Sequence, residues 1–536
     1  MTDSPQSGLS DGEWHRLHPA TPFLRGGLTL FAIVGILIVN LRDILIDNLF
    51  GGGNGRGDDG EPLVLLAESG FAGIALIAVV VLLAALVGGF YLSWRMHTFR
   101  ITDEVVEVRS GILFRTHRRA RLDRIQGINI QRPFLARVFG AAKLEVNVAG
   151  QDANVQLAYL SSAASDQLRR EILGLASGTQ RAEAAAATDP AAVAQLPLVA
   201  SGVATPVSGI AQQRVTELLA PELDPDLAPP ESVVTMNLGR LIGSLVLSET
   251  TVFLLALIAG LAIVFARTGE LFFIAPLLPI LIGMGGFYFN RFTKSLRYSI
   301  AGTADGVRVG FGLFSTSNET LPPGRIHSVQ VSQPLLWRPA GWWEIKLNRA
   351  STSGAKGAAG QANTTILPVG NLGDVRRVLE LVLPALVEPE SIALLERGLT
   401  SAGDDGFENS PPRARVLRWF SWRRNGFALV PGAVLLRSGF VWRRLVVVPL
   451  ARSQGSSLTQ GPLERRLRLA SVRINTVAGP VSATLGAIDA PTAHRFFTAV
   501  AEATVDSASA DTTHRWGSGA QLPPPFAQPY PDGAPA

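Results

Sequence analysis

The side chains with most chemistry to offer lie in one short stretch: Arg413, Arg415, Arg418, Trp419, Phe420, Trp422, Arg423 and Arg424. Guanidinium groups pair with phosphate, and indole rings settle at the headgroup level of a bilayer. Interleaved, they suit an anionic membrane surface, where each cation contributes about 1 kcal/mol. Arg415, Arg418, Trp419, Trp422, Arg423 and Arg424 are therefore membrane-interface candidates, although such a stretch can equally be a connector running into a strand. Glu249 is a second feature, a carboxylate inside an apolar run, where charge implies a packed partner or a transport role. It lies about two helical turns from the end expected to be cytoplasmic, so near-interfacial placement is equally open. Arg124, Arg325 and Arg452 form a third set, at one repeated position. They share a ligand or, as is commoner for arginine, brace a loop through hydrogen bonds or a carboxylate.

Other chemistry is excluded by what the chain lacks. There is no cysteine, which removes disulfides, thiolate nucleophiles and cysteine zinc sites. The seven histidines are scattered, and His15 with His18 has no neighbouring ligand set. No P-loop, Gly-x-Ser-x-Gly elbow or dinucleotide fingerprint occurs. No catalytic residue, metal site or cofactor is expected. The net charge of +5 is modest, and its arginines cluster, which points to anionic surfaces rather than nucleic acid.

Hydrophobic residues make up 47% and charged residues 17%, below the roughly 25% charge of soluble proteins, so segments should meet lipid. Gly70 to Leu92 and Leu241 to Ala266, with Glu249 inside, can each cross about 30 Å of hydrocarbon. Leu271 to Phe289 is a third span. Gly26 to Val39 is the weakest and recruits Asn40 and Leu41. Arg16, Arg25, Arg95, Arg100, Arg291 and Lys294 flank the spans on what should be the cytoplasmic side. The expectation is a multi-pass protein of the cell membrane, with about four transmembrane helices in two hairpins and both termini cytoplasmic.

The elements that position the three arginines form an internal repeat. Arg109-Ser110-Gly111 recurs as Arg437-Ser438-Gly439, and Arg124, Arg325 and Arg452 lie 13 residues after Gly111, Gly312 and Gly439. Pro133 and Pro334 follow 9 residues later, with the third copy slipping by one at Pro462. Alternation at Val106 and Val108, Val307 and Val309, and Val434 and Leu436 predicts strands before the glycine turns. Each copy closes on a helix: Ser162 to Leu173, Asn371 to Val382, and one with Asp489 as N-cap and Ala493, Phe496 and Val500 on one face.

These elements predict the following domains. An N-terminal segment and hairpin cover 1–93, a first module 94–176, a linker 177–232, a second hairpin 233–292 and a second module 293–385. A linker with the basic aromatic segment covers 386–418, a third module 419–503, and a disordered proline-rich tail 504–536. Residues 386–414 and 177–232 are rich in alanine, proline and aspartate and read as unable to build a core. The unit is an α+β module of several short strands and one terminal helix.

The order of these elements resembles the bacterial PH-like membrane proteins, the YdbT-like and YdbS-like family. Arg16-Leu17-His18-Pro19 precedes a hairpin; the Arg-Ser-Gly turn and Arg124-Ile125-Gln126-Gly127-Ile128 follow; then the arrangement repeats. The resemblance implies a PH-like fold, a partly open β-barrel with a C-terminal capping helix, in three copies. It implies membrane-associated proteins without established catalysis, some linked to envelope stress or antimicrobial resistance. It carries over no lipid-binding residue. The expected function is a non-enzymatic scaffold presenting three cytoplasmic modules to membrane lipids or a protein partner, with a smaller one-module relative as a candidate. The alternative is a transporter or channel component. The third unit departs from the pattern because no hairpin precedes it.

Overall fold

The computed structural model describes residues 11–18, 91–111, 115–148, 154–177, 234–269, 277–303, 306–313, 315–322, 324–350, 364–386, 388–401 and 405–511, with isolated positions besides. Most of the first expected hairpin and the linker 178–232 lie outside them, as does the tail from 512.

Among the described residues, each module has seven strands and a closing helix. Module 1 has β1 (His15–Arg16), β2 (Thr98–Ile101), β3 (Val105–Ser110) and β4 (Thr116–Arg121) in one sheet. β5 (Ile125–Arg132), helix α1 (Phe134–Val138), β6 (Ala141–Val148), β7 (Val155–Ser161) and α2 (Ser162–Ser177) follow. Module 2 starts at β8 (Val234–Thr235) and is interrupted by α3 (Leu238–Val246), α4 (Glu249–Thr268) and α5 (Leu277–Ser295). It resumes with β9 (Ser299–Thr303), β10 (Gly306–Phe311), β11 (Thr316–Leu321), β12 (Ile326–Gln333), β13 (Trp343–Arg349), β14 (Thr365–Gly370) and α6 (Leu372–Val382). After α7 (Pro389–Thr400), module 3 runs through β15 (Glu408–Asn409), β16 (Gly426–Val430), β17 (Ala433–Ser438), β18 (Arg443–Pro449) and β19 (Gly455–Thr459). It ends with α8 (Pro462–Arg466), β20 (Leu469–Asn475), β21 (Thr484–Asp489) and α9 (Ala490–Ala510).

The expected module boundaries therefore need correction. The first strand of each module precedes the insertion: β8 stands before the helices at 238–295, and β15 before the basic aromatic segment. Backbone pairing of β8 with β9 and of β15 with β16 closes each insertion at its base. The Arg-Ser-Gly motif belongs to the same closure. Arg109 lies 4.1 Å from the ring centre of Trp14, just before β1, and Arg437 lies 4.3 Å from that of Phe407, just before β15. Cation–π attraction thus ties the third strand to the entry of the first.

The turn glycines answer a backbone demand. Gly111, Gly312 and Gly439 have φ of 105°, 105° and 83°, and a Cβ on Gly312 or Gly439 would sit 2.0 or 1.9 Å from a carbonyl oxygen. Only glycine fits this left-handed turn.

The modules share sheets. β5 pairs with β11, so module 1's second sheet and module 2's first form one seven-stranded sheet; β12 pairs with β18 likewise. The register is the same in both joins. Ser317, five residues past its turn glycine, opposes Gln131, seven past Arg124; Arg444, five past its glycine, opposes Ser332, seven past Arg325. At the first join the buried Glu319 pairs with the buried Arg349, and Ser317 Oγ donates to Asn129 Oδ1 at 2.7 Å.

Helix α7 corrects the expectation that 386–414 is a coreless linker. Leu395 and Leu399 are buried in a cluster with Phe407, Ala428, Leu435, Leu445 and Val447, on the face of module 3's sheet turned away from its own core. That second cover explains why Ala433 to Leu436 reads as a continuous apolar run. The tail is corrected too: α9 continues to Ala510, and Asp511 pairs with Arg452 at 2.6 Å. Asp489 holds the N-cap position, but no side-chain cap bond forms, and its carboxylate pairs with Arg413.

The repeat arginines bring the modules together. Arg325 Nη2 donates to the Asp123 carbonyl at 3.0 Å, and His327 Nδ1 meets the Arg452 carbonyl at 3.3 Å. Burial, with the nearby Arg452 and Arg325 guanidinium groups, holds the His327 imidazole below its ordinary value, against the opposing effect of that hydrogen bond. The folded state thus favours neutral His327, and the unfolded chain takes up a proton first as pH falls. The stability is complete above the ordinary histidine value and is lost as pH falls toward the lowered one. Between pH 7 and 5 the unfolding temperature of the detergent-solubilised protein should fall more steeply than that of His327→Gln, as read by thermal scanning. Equal slopes would contradict the assignment.

Candidate functional site

The surface that gathers exposed apolar side chains lies at the foot of α4 and α5. The most apolar stretch of helix α4 has a mean hydropathy of 2.2 and none of it is buried; among the described residues no other helix is long and apolar enough to cross a membrane. α5 is apolar along most of its length, with Ile280, Leu281, Ile282, Phe287 and Phe289 exposed. The expected single span from Leu241 to Ala266 is two helices. The chain breaks at Leu247, and the Ser248 side chain caps α4 by accepting from the Thr251 amide. Glu249 is consequently the first residue of α4, not two turns inside it.

Three structures meet this foot. The first is α3, capped by Asn237, which buries Leu241 and Ser244 and exposes Leu238, Ile242 and Val246 at a four-residue spacing. Arg240 Nη1 bonds Asp374 Oδ2 at 2.6 Å and holds α3 on module 2. A Cβ on Gly243 would lie 2.4 Å from the Trp342 ring, so a glycine is needed for this approach. The second is the β10–β11 turn, where the Gly312 and Leu313 amides donate to the carbonyls of Leu296 and Thr293 at the end of α5. The third is the β17–β18 turn of module 3, where the Trp442 indole donates to Glu249. The corresponding tip of module 1, residues 112–114, lies outside the described residues.

Arginines at one repeat position latch these turns together. Arg137 Nη1 donates to the Leu313 carbonyl at 2.8 Å, and Arg338 Nη2 to the Val441 carbonyl at 3.3 Å. Both lie 13 residues beyond the repeat arginine. Arg338 also lies 5.3 Å from the Phe440 ring centre. Exposed Phe134, Val138, Leu335 and Leu336 flank these arginines.

The basic aromatic segment completes the surface and divides sharply. Trp419 and Phe420 are 67% and 69% exposed and stack at 5.4 Å, and Phe420 reaches Phe440 at 6.5 Å. Arg415 and Arg423 are exposed beside them. Arg418 is half-buried in a cleft of about 560 Å³ between Phe420, Phe440, Trp442, Glu464 and Gly486. Burial lowers its pKa, against Glu464. Trp422 packs inward on Ala414, Leu469 and Ala487.

Arg424 is a correction to the membrane-interface set. It is buried and donates to the carbonyls of Gly398 at 2.8 Å, Leu399 at 2.7 Å and Ser401, closing the C-terminus of α7. Burial, with Arg443, Arg437 and Arg338 nearby and Asp405 opposing, pushes its pKa down to about 9. Of the repeat-position arginines, Arg124 is exposed, Arg325 bonds module 1, and Arg452 bonds Asp511. The set Phe440, Val441 and Trp442 was open to discovery, since an aromatic-rich tip on a glycine turn has no use for a soluble core. Among the described residues, no group of three or more His, Asp or Glu side chains could hold a metal.

Residues 61–176, 242–385 and 406–504 match the bacterial PH domain family. The chain belongs to that family. The UPF0699 transmembrane protein YdbT of Bacillus subtilis (strain 168) is 28% identical to it over 98 residues, 18% of this chain and 20% of the relative. The match thus spans about a fifth of that relative's length. No solved structure matches. The chain is therefore a membrane-associated protein built on bacterial PH domain repeats, and the apolar turn of a PH repeat meets the foot of its apolar helices twice.

If the turn tips lie in lipid, bromine-labelled acyl chains should quench Trp419 and Trp442 in reconstituted protein. Removing both in Trp419→Phe/Trp442→Phe should abolish most of the quenching, while replacing the buried Trp337 by Phe should not. Unchanged quenching in the double variant would place the tips away from lipid.

Proposed function

We propose that the protein is a non-enzymatic, multi-pass scaffold of the cell membrane that holds a row of three cytoplasmic PH modules against the inner leaflet. There they take up anionic lipid and protein partners. The observation that carries this reading is the contact of the β10–β11 and β17–β18 turns with the foot of α4 and α5, from two successive modules. Module 3 supports it further: where module 2 inserts helices between its first two strands, module 3 inserts the segment with exposed Trp419 and Phe420. That segment acts as a surface anchor in place of a spanning one. Arg415 and Arg423 contribute electrostatic attraction to anionic headgroups, of the order of 1 kcal/mol each, and the rings contribute apolar burial.

The test is amide hydrogen exchange of the full chain in nanodiscs. Residues 416–423 and 438–443 should be more protected with anionic than with zwitterionic lipid. Arg415→Gln/Arg423→Gln should remove most of the difference while leaving core strands unchanged. Protection indifferent to lipid charge would contradict the electrostatic part of the reading.

A further inference from the structure

The two joins leave one strand of each kind over. β11 and β18 are the fourth strands of modules 2 and 3, and each is covered by the fifth strand of the module before it. The fourth strand of module 1, β4, pairs only with β3 among the described residues. The fifth strand of module 3, β19, pairs only with β20 among the described residues. One chain thus carries both halves of a join it has already made twice, at opposite ends of its row.

We propose that β4 of one chain pairs with β19 of a second copy, so that copies assemble head to tail through a third join of the same kind. Carrying over the common register puts Thr116 opposite Thr459, His117 opposite Leu458, Arg118 opposite Ser457 and Arg119 opposite Ser456. Each pair matches Ser317 with Gln131 and its successors along β11 and β5.

The side chains suit this register. All four β4 residues are exposed, as are Leu458 and Thr459. No cation of β4 meets a cation of β19, whose sequence is Gly-Ser-Ser-Leu-Thr. Beyond the strand ends, Arg115 would oppose Gln460. The equivalent residues of the second join, Arg443 and Gln333, bond through Nη1 and Oε1 at 3.4 Å. Gln460 uses its Nε2 on the Leu469 carbonyl at 2.7 Å, which leaves its Oε1 to accept.

Two features could argue for closed ends, and neither does. Charged side chains often guard a sheet edge from pairing. Yet β18 begins Arg443-Arg444 and is fully joined. Helix α9 packs against β19 and is the longer of the two closing helices, but α2 also packs against β5, which nonetheless receives β11. A head-to-tail contact that does not close produces an open row, and one that closes produces a ring.

The absence of cysteine makes a direct test possible in the full chain. Two differently tagged copies, one Thr116→Cys and one Thr459→Cys, are co-expressed, and their membranes are oxidised. Ser317→Cys/Gln131→Cys within one chain is the control for the same register. The expected result is a disulfide-linked heterodimer of the two tags, at least tenfold above Thr116→Cys paired with Ser457→Cys. In a chain carrying both Thr116→Cys and Thr459→Cys, a ladder of higher species should appear. Absence of the heterodimer while the control forms would overturn the proposal. So would an adduct to a different protein only, which would mean that β4 receives a foreign module. Quenching of Trp419 and Trp442 by brominated lipid reads membrane contact separately, so loss of one result leaves the other standing.

Discussion

A PH-type module ends each of its two sheets in an edge strand, with backbone donors and acceptors that need partners. Here the edges are used up in pairs: β5 takes β11, and β12 takes β18, in one register. Every other relation in the molecule depends on that pairing. Because the register repeats, successive modules face the same way, and the turns after β10 and β17 arrive together at the foot of α4 and α5. Because the sheets are continuous, polar side chains at the first join can be buried in pairs, Glu319 with Arg349 and Ser317 with Asn129.

The same pairing explains how the apolar helices α4 and α5 are carried. The helices inserted between the first two strands of module 2 are held by backbone pairing at their base, so they are tied to a sheet rather than hung on a linker. Module 3 keeps the insertion point but fills it with a basic aromatic segment. Part of that segment serves packing: Arg413 binds the carbonyls of Leu467 and Arg468, Trp422 covers a small core, and Arg424 closes α7. The rest is left for the surface: Arg415, Trp419, Phe420 and Arg423.

Sequence made the repeat legible because its signals are local. A left-handed turn demands glycine at 111, 312 and 439, and the spacing to the repeat arginine is set by one strand and one tight turn. What stayed hidden depends on contacts between distant segments. Arg424 looks no different from Arg423 until α7 supplies the carbonyls it binds. Residues 386–414 look coreless because their apolar positions, Leu395, Leu399 and Phe407, are few and only become a core against module 3's outer sheet face. Glu249 looked intramembrane because the apolar run is continuous across Leu247, where only the Ser248 cap interrupts the helix. The joins themselves leave no signature, since β-pairing is made by backbone and tolerates Thr-Ser-Asn-Glu-Thr in β11 as readily as the apolar β18.

Amide exchange of the full chain in detergent tests the joining of the modules most directly. If the sheets are continuous, the amides of β11 and β18 exchange as slowly as those of β6 and β13 in the sheet interiors, within about one order of magnitude as members of one cooperative unit. If they exchange as fast as the outer strands β7 and β14 of the same sheets, the modules are separate bodies and the account fails.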